Sequence, residues 1–396
     1  MTISKRSISI LWPKFKPPEI FEMHFAYDFC RKESQTLCQS LDSLNLWVDY
    51  AEDELLSMIQ NRVPANDDLL IITDPLIVLN NNAVEHLQNT LNNEYSACGP
   101  VFNDSLYKEQ QAKMDYSYHN INTFLEVSHL FSSGSESAAL SVAQLDPGCI
   151  LYSNASIKHL TNDLPVLRLD KYIDGEQVVD SGAMLHRFFN IFDSSREDLV
   201  LLVPPGVSRI LDVGCARGGY GKCLKIHRPD VFLAGVEINP VMAEAARQYY
   251  DDVFVCSVDS LDLPYPVDLI NCGELLEHLE NPWQILDSLC SMLNPKGYIV
   301  LSVPNAGHWA IVQDLIQGRF QYIPWGPQCI THIRWFTEND IGKALEDAGF
   351  SIDSIDRVQP PPTPAGNQFI QDMLDKGYGD LEHLLTVEII IRAQKQ

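Results

Sequence analysis

The chain has 396 residues, of which 45% are hydrophobic and 20% are charged, which is typical of a globular protein of roughly two domains. Its formal net charge of −25 argues against a nucleic-acid partner, because such binding depends on lysines and arginines that neutralise phosphates. No apolar run approaches the roughly 20 residues of a membrane span. The apolar stretch before Pro13 is too short for a signal peptide, so we expect a cytoplasmic protein. The ten cysteines form no C-x-x-C pair, which predicts reduced thiols rather than a zinc ribbon or a disulfide framework.

The first half of the chain alternates between apolar runs typical of strands and segments with helical periodicity. Asn80-Asn81-Asn82 is a plausible turn and cap before one of these helices. The predicted elements are a strand at 7–12, helical segments within 21–59, apolar runs at 67–72 and 76–79 around Thr73-Asp74-Pro75, a helix at 83–91 and a strand at 97–102.

This order of elements resembles the middle of a GT-A glycosyltransferase of the family 2 type, over residues 7–165. The resemblance implies a small α/β domain, which we place at 1–170. In that family an Asp-x-Asp motif holds a divalent metal and a sugar-nucleotide diphosphate, because the leaving group needs its charge neutralised. Here Pro75 and Leu76 follow Asp74, so the second acid is missing.

Asp146 and Asp163 are the candidates for a general base in this first domain, although lone acids are usually solvated or capping residues. Two readings therefore stay open. In the first reading the domain transfers sugar. In the second it is a degenerate, non-catalytic domain that recognises a glycan or a partner protein. We expect the degenerate domain.

A linker is predicted at 171–205. Its first part is a hairpin with a turn at Asp174-Gly175, because extended residues flank this turn-forming pair. Lead-in helices are expected at 184–192 and 196–203. Pro204-Pro205-Gly206 then breaks the chain.

From residue 206 to the C-terminus, strands and helices alternate, which is the pattern of a doubly wound, Rossmann-like parallel sheet. A stiff proline-rich connector, 360–364, precedes the last strand. The predicted strands are 209–213, 232–236, 253–257, 267–272, 298–303, 350–358 and 386–393, with a helix at 241–250.

The segment Ile210–Leu224, ILDVGCARGGYGKCL, is a short apolar strand that breaks into a glycine-rich turn before a helix. The strand ends in Asp212, which would repel a phosphate. A second apolar run ends in Glu237, where doubly wound sheets hold an acid for a ribose hydroxyl pair. This pattern resembles motif I of the class I S-adenosylmethionine (SAM) methyltransferases, with Ala216 at a position that is glycine in many members.

The resemblance implies that SAM is the cofactor and that the last strand of the sheet is antiparallel. The acid after the third strand is expected to accept from the adenine amino group, and we assign it to Asp259, with Asp262 as the nearby rival. The expected cofactor-binding residues are Asp212, Gly214, Cys215, Arg217, Gly218, Gly219, Glu237, Ile238, Asp259, Ser260 and Glu274.

The block 210–350, with GELLEHLENPW, SVPNAGHW and THIRWFT, resembles methyltransferases that act on hydroxyls of sugars, quinol precursors and small-RNA ends. If Glu274-Leu-Leu-Glu-His278 is helical, Glu274 shares a face with Glu277 and His278. The resemblance implies a divalent cation (Mg²⁺, Mn²⁺ or Zn²⁺) at Glu274, Glu277, His278 and His332, which would help to deprotonate the acceptor. His278 as a metal-free general base, and purely structural roles, stay open.

His278, Glu277 and His332 are thus the predicted catalytic residues. His308, Trp309, Tyr322, Trp325 and Arg334 are weaker candidates for the acceptor pocket. We expect a SAM-dependent O-methyltransferase that acts on a saccharide hydroxyl, with glycan-assembly enzymes as possible partners. A quinol-type small-molecule acceptor is the alternative. The saccharide expectation depends only on the neighbouring domain.

Overall fold

The computed structural model describes residues 6–14, 21–51, 54–91, 95–133, 139–157, 176–188 and 191–396. The chain forms two compact units, Met1–Phe189 and Asn190–Gln396. Each unit has its own sheet and its own buried apolar core. The described residues contain no helix that is long and apolar enough to cross a membrane.

The first unit is a mixed sheet with helices. Its strands are β1 (Ile8–Pro13), β2 (Leu44–Tyr50), β3 (Asp68–Ile72), β4 (Ile77–Val78), β5 (Ala97–Phe102), β6 (Ala139–Ser141), β7 (Cys149–Tyr152) and β8 (Gln177–Arg187). Its helices are α1 (Phe21–Leu37), α2 (Leu55–Asn61), α3 (Asn81–Leu91), α4 (Ile121–Ser133) and α5 (Asn154–Ile157). The strand order is β2-β1-β3-β7-β5-β8-β4, with β6 paired to β8.

The sequence predicts β3, β4, α3 and β5 in the right order, but two predictions for this unit are wrong. The helical periodicity read through Leu37, Leu41 and Leu44 does not hold at Leu44, because β2 begins there, separates α1 from α2 and pairs in parallel with β1. The apolar residues of this stretch fit both the helical period and the strand period, and the pairing of β2 with β1 decides in favour of the strand.

The second wrong prediction is the lead-in helix at 184–192. Its first residues belong to β8, where Met184 pairs with Val101 of β5. This strand lies within the stretch that the sequence assigned to a linker, and it belongs to the first sheet. The predicted turn at Asp174-Gly175 lies outside the described residues.

The second unit is built on a seven-stranded sheet. Its strands are β9 (Arg209–Val213), β10 (Phe232–Glu237), β11 (Asp252–Val255), β12 (Val267–Gly273), β13 (Leu293–Pro304), β14 (Phe350–Val358) and β15 (Glu388–Lys395). Its helices are α6 (Glu197–Leu201), α7 (Gly219–His227), α8 (Pro240–Ala246), α9 (Pro282–Met292), α10 (Trp309–Ile316), α11 (Glu338–Asp347), α12 (Pro364–Asp375) and α13 (Leu381–Leu385).

The strand order of this sheet is β11-β10-β9-β12-β13-β15-β14. Strands β9 to β13 pair in parallel, and β15 is antiparallel to both β13 and β14. The doubly wound α/β fold and its antiparallel last strand are thus confirmed. Parallel pairing brings the carboxyl ends of β9, β10, β12 and β13 to one edge, where ligands of such sheets bind.

Helices α12 and α13 are the main feature of this unit that the sequence analysis missed. They follow the predicted proline-rich connector, where the Thr363 side chain accepts a hydrogen bond from the Gly366 amide and caps α12. Their residues Ile370 and Leu384 pack with Trp309 in a small apolar cluster. Trp309 is therefore a core residue.

Candidate active site

Asp212, near the end of β9, lies inside the sheet. It is 2% exposed, and its Oδ2 accepts a 2.5 Å hydrogen bond from the Tyr250 hydroxyl while Oδ1 accepts a 2.7 Å bond from the Asn271 amide. Burial raises the pKa of Asp212 to about 6, although these two bonds act to lower it. Because the side chain is buried beneath the turn that follows it and is held there by both bonds, we assign Asp212 a supporting role.

The turn Gly214–Gly218 gives the backbone an open bend. Gly214, Ala216 and Gly218 have φ angles of +79°, +45° and +92°, a left-handed conformation that glycine adopts without strain. Gly214 is exposed, and the nearest atom to an added Cβ is Cδ1 of Leu275, at 3.3 Å. A ligand can therefore approach the backbone closely at this turn.

Other residues of the glycine-rich segment serve packing. A Cβ on Gly219 would lie 2.2 Å from the carbonyl oxygen of Ser194, and Cys215 is 4% exposed. The exposed Arg217 pairs with Asp193 at 3.0 Å. Of the side chains predicted in this segment, only that of Arg217 is accessible.

Glu237 ends β10 and is 9% exposed. Its carboxylate accepts a 3.0 Å hydrogen bond from the amide of Ala216 and a 2.8 Å bond from the amide of Asn239. The next residue, Ile238, is 70% exposed. An acid at the strand end and an exposed apolar side chain beside it fit the ribose hydroxyls and the flat adenine face of an adenosyl group.

Asp259 and Ser260 belong to a short 3-10 helix, Val258–Ser260, that follows β11. Both are exposed. Their side chains bond to Ser257, whose hydroxyl donates to Asp259 at 2.8 Å and whose carbonyl accepts from Ser260 at 3.0 Å. The rival acid, Asp262, is also exposed.

Glu274 follows β12 with a φ angle of +51°. The predicted helix through Glu274 is wrong, because the strand is followed by a single 3-10 turn, Leu276–His278, and the Asn281 side chain caps the next helix. The Ser302 hydroxyl lies 3.2 Å from the Glu274 carboxylate and 3.2 Å from the Arg196 guanidinium. Glu274 thus faces Ser302. Desolvation by the surrounding protein and the charge of the nearby Glu277 raise the pKa of Glu274, but Glu274 is not among the ligand atoms that come together at Glu277, His278 and His332.

Glu277, His278 and His332 do come together. Their ligand atoms lie within 4.8 Å of one another, and Oε1 of Glu277 is 3.9 Å from Nε2 of His332. The amides of Ile333 and Arg334 donate to the Glu277 carbonyl at 2.9 and 3.0 Å, which fixes the segment after His332 against the 3-10 turn.

The Glu277 carboxylate is the orphaned group of this site. Glu277 is 1% exposed, and within the described part of the chain neither oxygen has a hydrogen-bond partner. Burial raises the pKa of Glu277 to about 8. Burial and the neighbouring His278 lower the pKa of His332 to about 4. Nδ1 of His332 lies 3.0 Å from the Pro327 carbonyl, so Nε2 is available to a ligand. One carboxylate and two imidazoles are a donor set that fits a divalent cation.

Aromatic side chains lie beside these histidines. The Trp335 ring is 6.1 Å from that of His332 and 5.2 Å from that of Phe320, which in turn is 5.2 Å from Tyr322. Tyr322 and Trp335 are 46% and 37% exposed. This aromatic rim (Phe320, Tyr322 and Trp335) offers a stacking surface for an acceptor.

The weaker acceptor candidates fall mostly in the interior. His308 is fully buried and its Nδ1 accepts from the Ala310 amide at the start of α10. Trp325 is 7% exposed. Arg334 donates to the carbonyls of Ile333 and Glu280. These contacts give each residue a structural role.

In the first unit, Arg187 holds the predicted acids. Its Nε lies 2.9 Å from Asp74, its two terminal nitrogens donate to Asp146 at 2.8 Å each, and its guanidinium lies 4.0 Å from the Phe102 ring centre. Burial acts to raise the pKa of Asp146, but the bonds from Arg187 outweigh it and the pKa is lowered. Asp163, the other candidate base, lies outside the described residues.

Four residues of the site network were missed by sequence reasoning: Arg196, Tyr250, Asn271 and Ser302. Asn271 and Ser302 are polar residues inside apolar strands, which is a usable signal. Tyr250 and Arg196 meet their partners across 38 and 106 residues, and nothing local marks them.

Residues 184–355 match the family model described as a methyltransferase domain. The chain is 30% identical over 138 residues to a ubiquinone biosynthesis O-methyltransferase of Xylella fastidiosa, which covers 30% of this chain and 55% of that protein. It is 30% identical over 158 residues to the mitochondrial ubiquinone biosynthesis O-methyltransferase of Schizosaccharomyces pombe, covering 37% and 56%. The chain thus spans just over half the length of these relatives.

Among solved structures, a SAM-dependent methyltransferase from Mesorhizobium loti is 19% identical, with 51% of this chain and 97% of that chain covered and a TM-score of 0.34. The family match and the curated relatives identify residues 184–355 as a SAM-dependent methyltransferase domain.

Proposed function

We propose that this protein transfers the methyl group of SAM to a hydroxyl of a small aromatic diol, with a divalent cation at Glu277, His278 and His332. The observation that carries the proposal is the buried Glu277 carboxylate, which lies among two imidazoles and accepts no hydrogen bond from the described residues. The curated relatives act in ubiquinone biosynthesis as O-methyltransferases, which supports a small-molecule acceptor.

The cofactor residues follow from the edge of the sheet. The open turn at Gly214 lets the adenosyl group approach the backbone, Glu237 accepts from the ribose hydroxyls, and Ile238 covers the adenine face. Asp259, the exposed acid that follows β11, accepts from the adenine amino group. SAM supplies an electrophilic methyl group, so the protein has only to orient the acceptor hydroxyl and remove its proton.

Glu277, His278 and His332 orient the acceptor. A bound divalent cation would lower the pKa of an acceptor hydroxyl. A His278 that ligates the ion has no lone pair left, so the hydroxyl proton would then pass to solvent. Without the ion, His278, which is the least buried of the three, would take that proton. The aromatic rim stacks on the acceptor ring and keeps one of its two hydroxyls directed at the methyl group.

The test is labelled-methyl transfer from SAM to 3,4-dihydroxybenzoate and, in parallel, to a methyl glycoside, each with and without a chelator. We expect methylation of the catechol that is lost on chelation and restored by Mg²⁺, Mn²⁺ or Zn²⁺. Methylation of the glycoside alone would instead favour the saccharide acceptor expected from the sequence. Activity that resists chelation would favour His278 as a metal-free base.

For the first unit we propose a non-catalytic binding role. Asp74 and Asp146 are the acids that a sugar-nucleotide site would use, and both pair with Arg187, so both already hold an internal cationic partner. Calorimetry with UDP-sugars and Mn²⁺ tests this reading. We expect no heat of binding, whereas binding at micromolar concentration would favour an active glycosyltransferase.

A further inference from the structure

Three metal-ligating side chains meet on the second unit, and none of them is a ligand of the site described above. They are Glu197 of α6 and Cys223 and His227 of α7, and their ligand atoms lie within 4.8 Å of one another. Cys223 and His227 are four residues apart on one helix and so share a face. Glu197 reaches the same point from the helix that packs against α7.

The tautomer of His227 decides what this cluster can do. Its Nδ1 lies 3.1 Å from the carbonyl oxygen of Cys223. A carbonyl can only accept, so Nδ1 carries the proton and Nε2 presents its lone pair. A backbone carbonyl that holds the other ring nitrogen in this way is the usual partner of a metal-binding histidine.

Nε2 of His227 faces Oε1 of Glu197 at 3.4 Å. Two acceptor atoms at this distance repel each other unless a cation lies between them, either a proton on the ring or a metal ion. Tetrahedral ligands bound roughly 2.0–2.3 Å from an ion lie roughly 3.3–3.8 Å apart. The spacing of Nε2 and Oε1 is therefore that of two ligands of one ion.

The third side chain selects the metal. Cys223 is 8% exposed, and its sulfur lies 3.9 Å from Nδ1 of His227. Burial and the Glu197 charge raise the pKa of its thiol. A cation among these groups would reverse that effect. Thiolate, imidazole and carboxylate together favour Zn²⁺ or Co²⁺ over Mg²⁺ and Ca²⁺, which prefer oxygen ligands.

We propose that Glu197, Cys223 and His227 form a zinc-class metal site that links α6 to α7. With three protein ligands, a fourth position stays open to water. This proposal does not depend on the methyl acceptor or on a cation at Glu277. Cys223 and His227 lie in the second half of α7, so an ion here would fasten α6 to that end of the helix.

Cobalt(II) is the probe, because a thiolate ligand gives a near-ultraviolet charge-transfer band that oxygen and nitrogen ligands do not give. The 396-residue chain, without an affinity tag, is titrated with Co²⁺ in the presence of a non-thiol reductant. We expect one band that saturates, is displaced by Zn²⁺ and is absent from Cys223→Ser. Glu197→Gln and His227→Asn should each weaken Co²⁺ binding at least tenfold.

Cys329→Ser is the matched control. Cys329 is the thiol three residues before His332, at the other candidate cation site, so its replacement should leave the band unchanged. No band at about 1 mM Co²⁺, or a band that persists in Cys223→Ser, would overturn the proposal. Glu197 and His227 are exposed, so their variants decide the question even if Cys223→Ser fails to fold. Unchanged Co²⁺ affinity in both Glu197→Gln and His227→Asn would also overturn the proposal.

Discussion

The hydroxyl of Tyr250 donates a hydrogen bond of 2.5 Å to Oδ2 of Asp212. It also accepts a 3.1 Å bond from the amide of Gly221. A Cβ on Gly221 would lie 2.3 Å from the Tyr250 ring, so the ring packs directly on α7. One side chain thus connects the strand before the glycine-rich turn to the helix after it.

We expect Tyr250→Phe to lower the free energy of unfolding of the second unit by about 1–3 kcal/mol, because a buried carboxylate loses a donor while the ring keeps its packing. SAM affinity should fall as well, since the turn loses an anchor on each side. Chemical denaturation and calorimetry measure the two effects. Tyr249→Phe, the half-buried neighbour, is the matched control and should change stability by less than about 0.5 kcal/mol.

Asp212 should make stability depend on pH. Its pKa is about 6 in the folded protein against an ordinary value of 3.8, so the folded state holds the proton more tightly than the unfolded state. The contribution is fully present below about pH 4 and is lost as the pH rises through 6, a decrease of roughly 3 kcal/mol.

Asp212→Asn isolates this contribution, because it keeps the shape of the side chain and cannot ionise. Denaturation midpoints measured from pH 4 to pH 7 should fall less steeply in the variant than in the natural chain. Parallel pH profiles for the two proteins would contradict the role of Asp212.

Glu277→Gln tests the proposed cation independently of turnover. In the natural chain we expect Mn²⁺, which the thiolate-containing cluster at Cys223 does not favour, to raise the melting temperature, because an ion that binds only the folded state stabilises it. The variant should lose most of this increase while SAM affinity stays within about twofold. Glu280→Gln, an exposed acid three residues away, should respond to metal as the natural chain does.

Arg187→Ala should destabilise the first unit by about 3–5 kcal/mol, because two acids lose their shared partner. Its matched control is Arg31→Ala. Arg31 also makes a two-point contact with one acid, Asp49, but that side chain is 29% exposed. The loss there should stay below about 1 kcal/mol. Equal losses in denaturant unfolding would mean that Arg187 is not the internal counter-charge of Asp74 and Asp146.

The sequence by itself determined the layout of the second unit. Strand β9 was predicted at the residues where it occurs, and the antiparallel last strand was expected from the motifs. Glu237 was placed correctly at the end of β10. These features depend on apolar runs and turn residues that are contiguous in the chain, so a local pattern is enough to find them.

Only the tertiary structure decided which side chains meet. Asp212 contacts Tyr250 and Asn271, and Glu274 contacts Ser302. His332 lies beside Glu277 although the two are 55 positions apart in the chain. In the first unit, strand pairing overrode helical periodicity at β2 and drew β8 out of the predicted linker. Hydrogen bonds and ion pairs between distant residues set these outcomes, and periodicity along the chain carries no information about them.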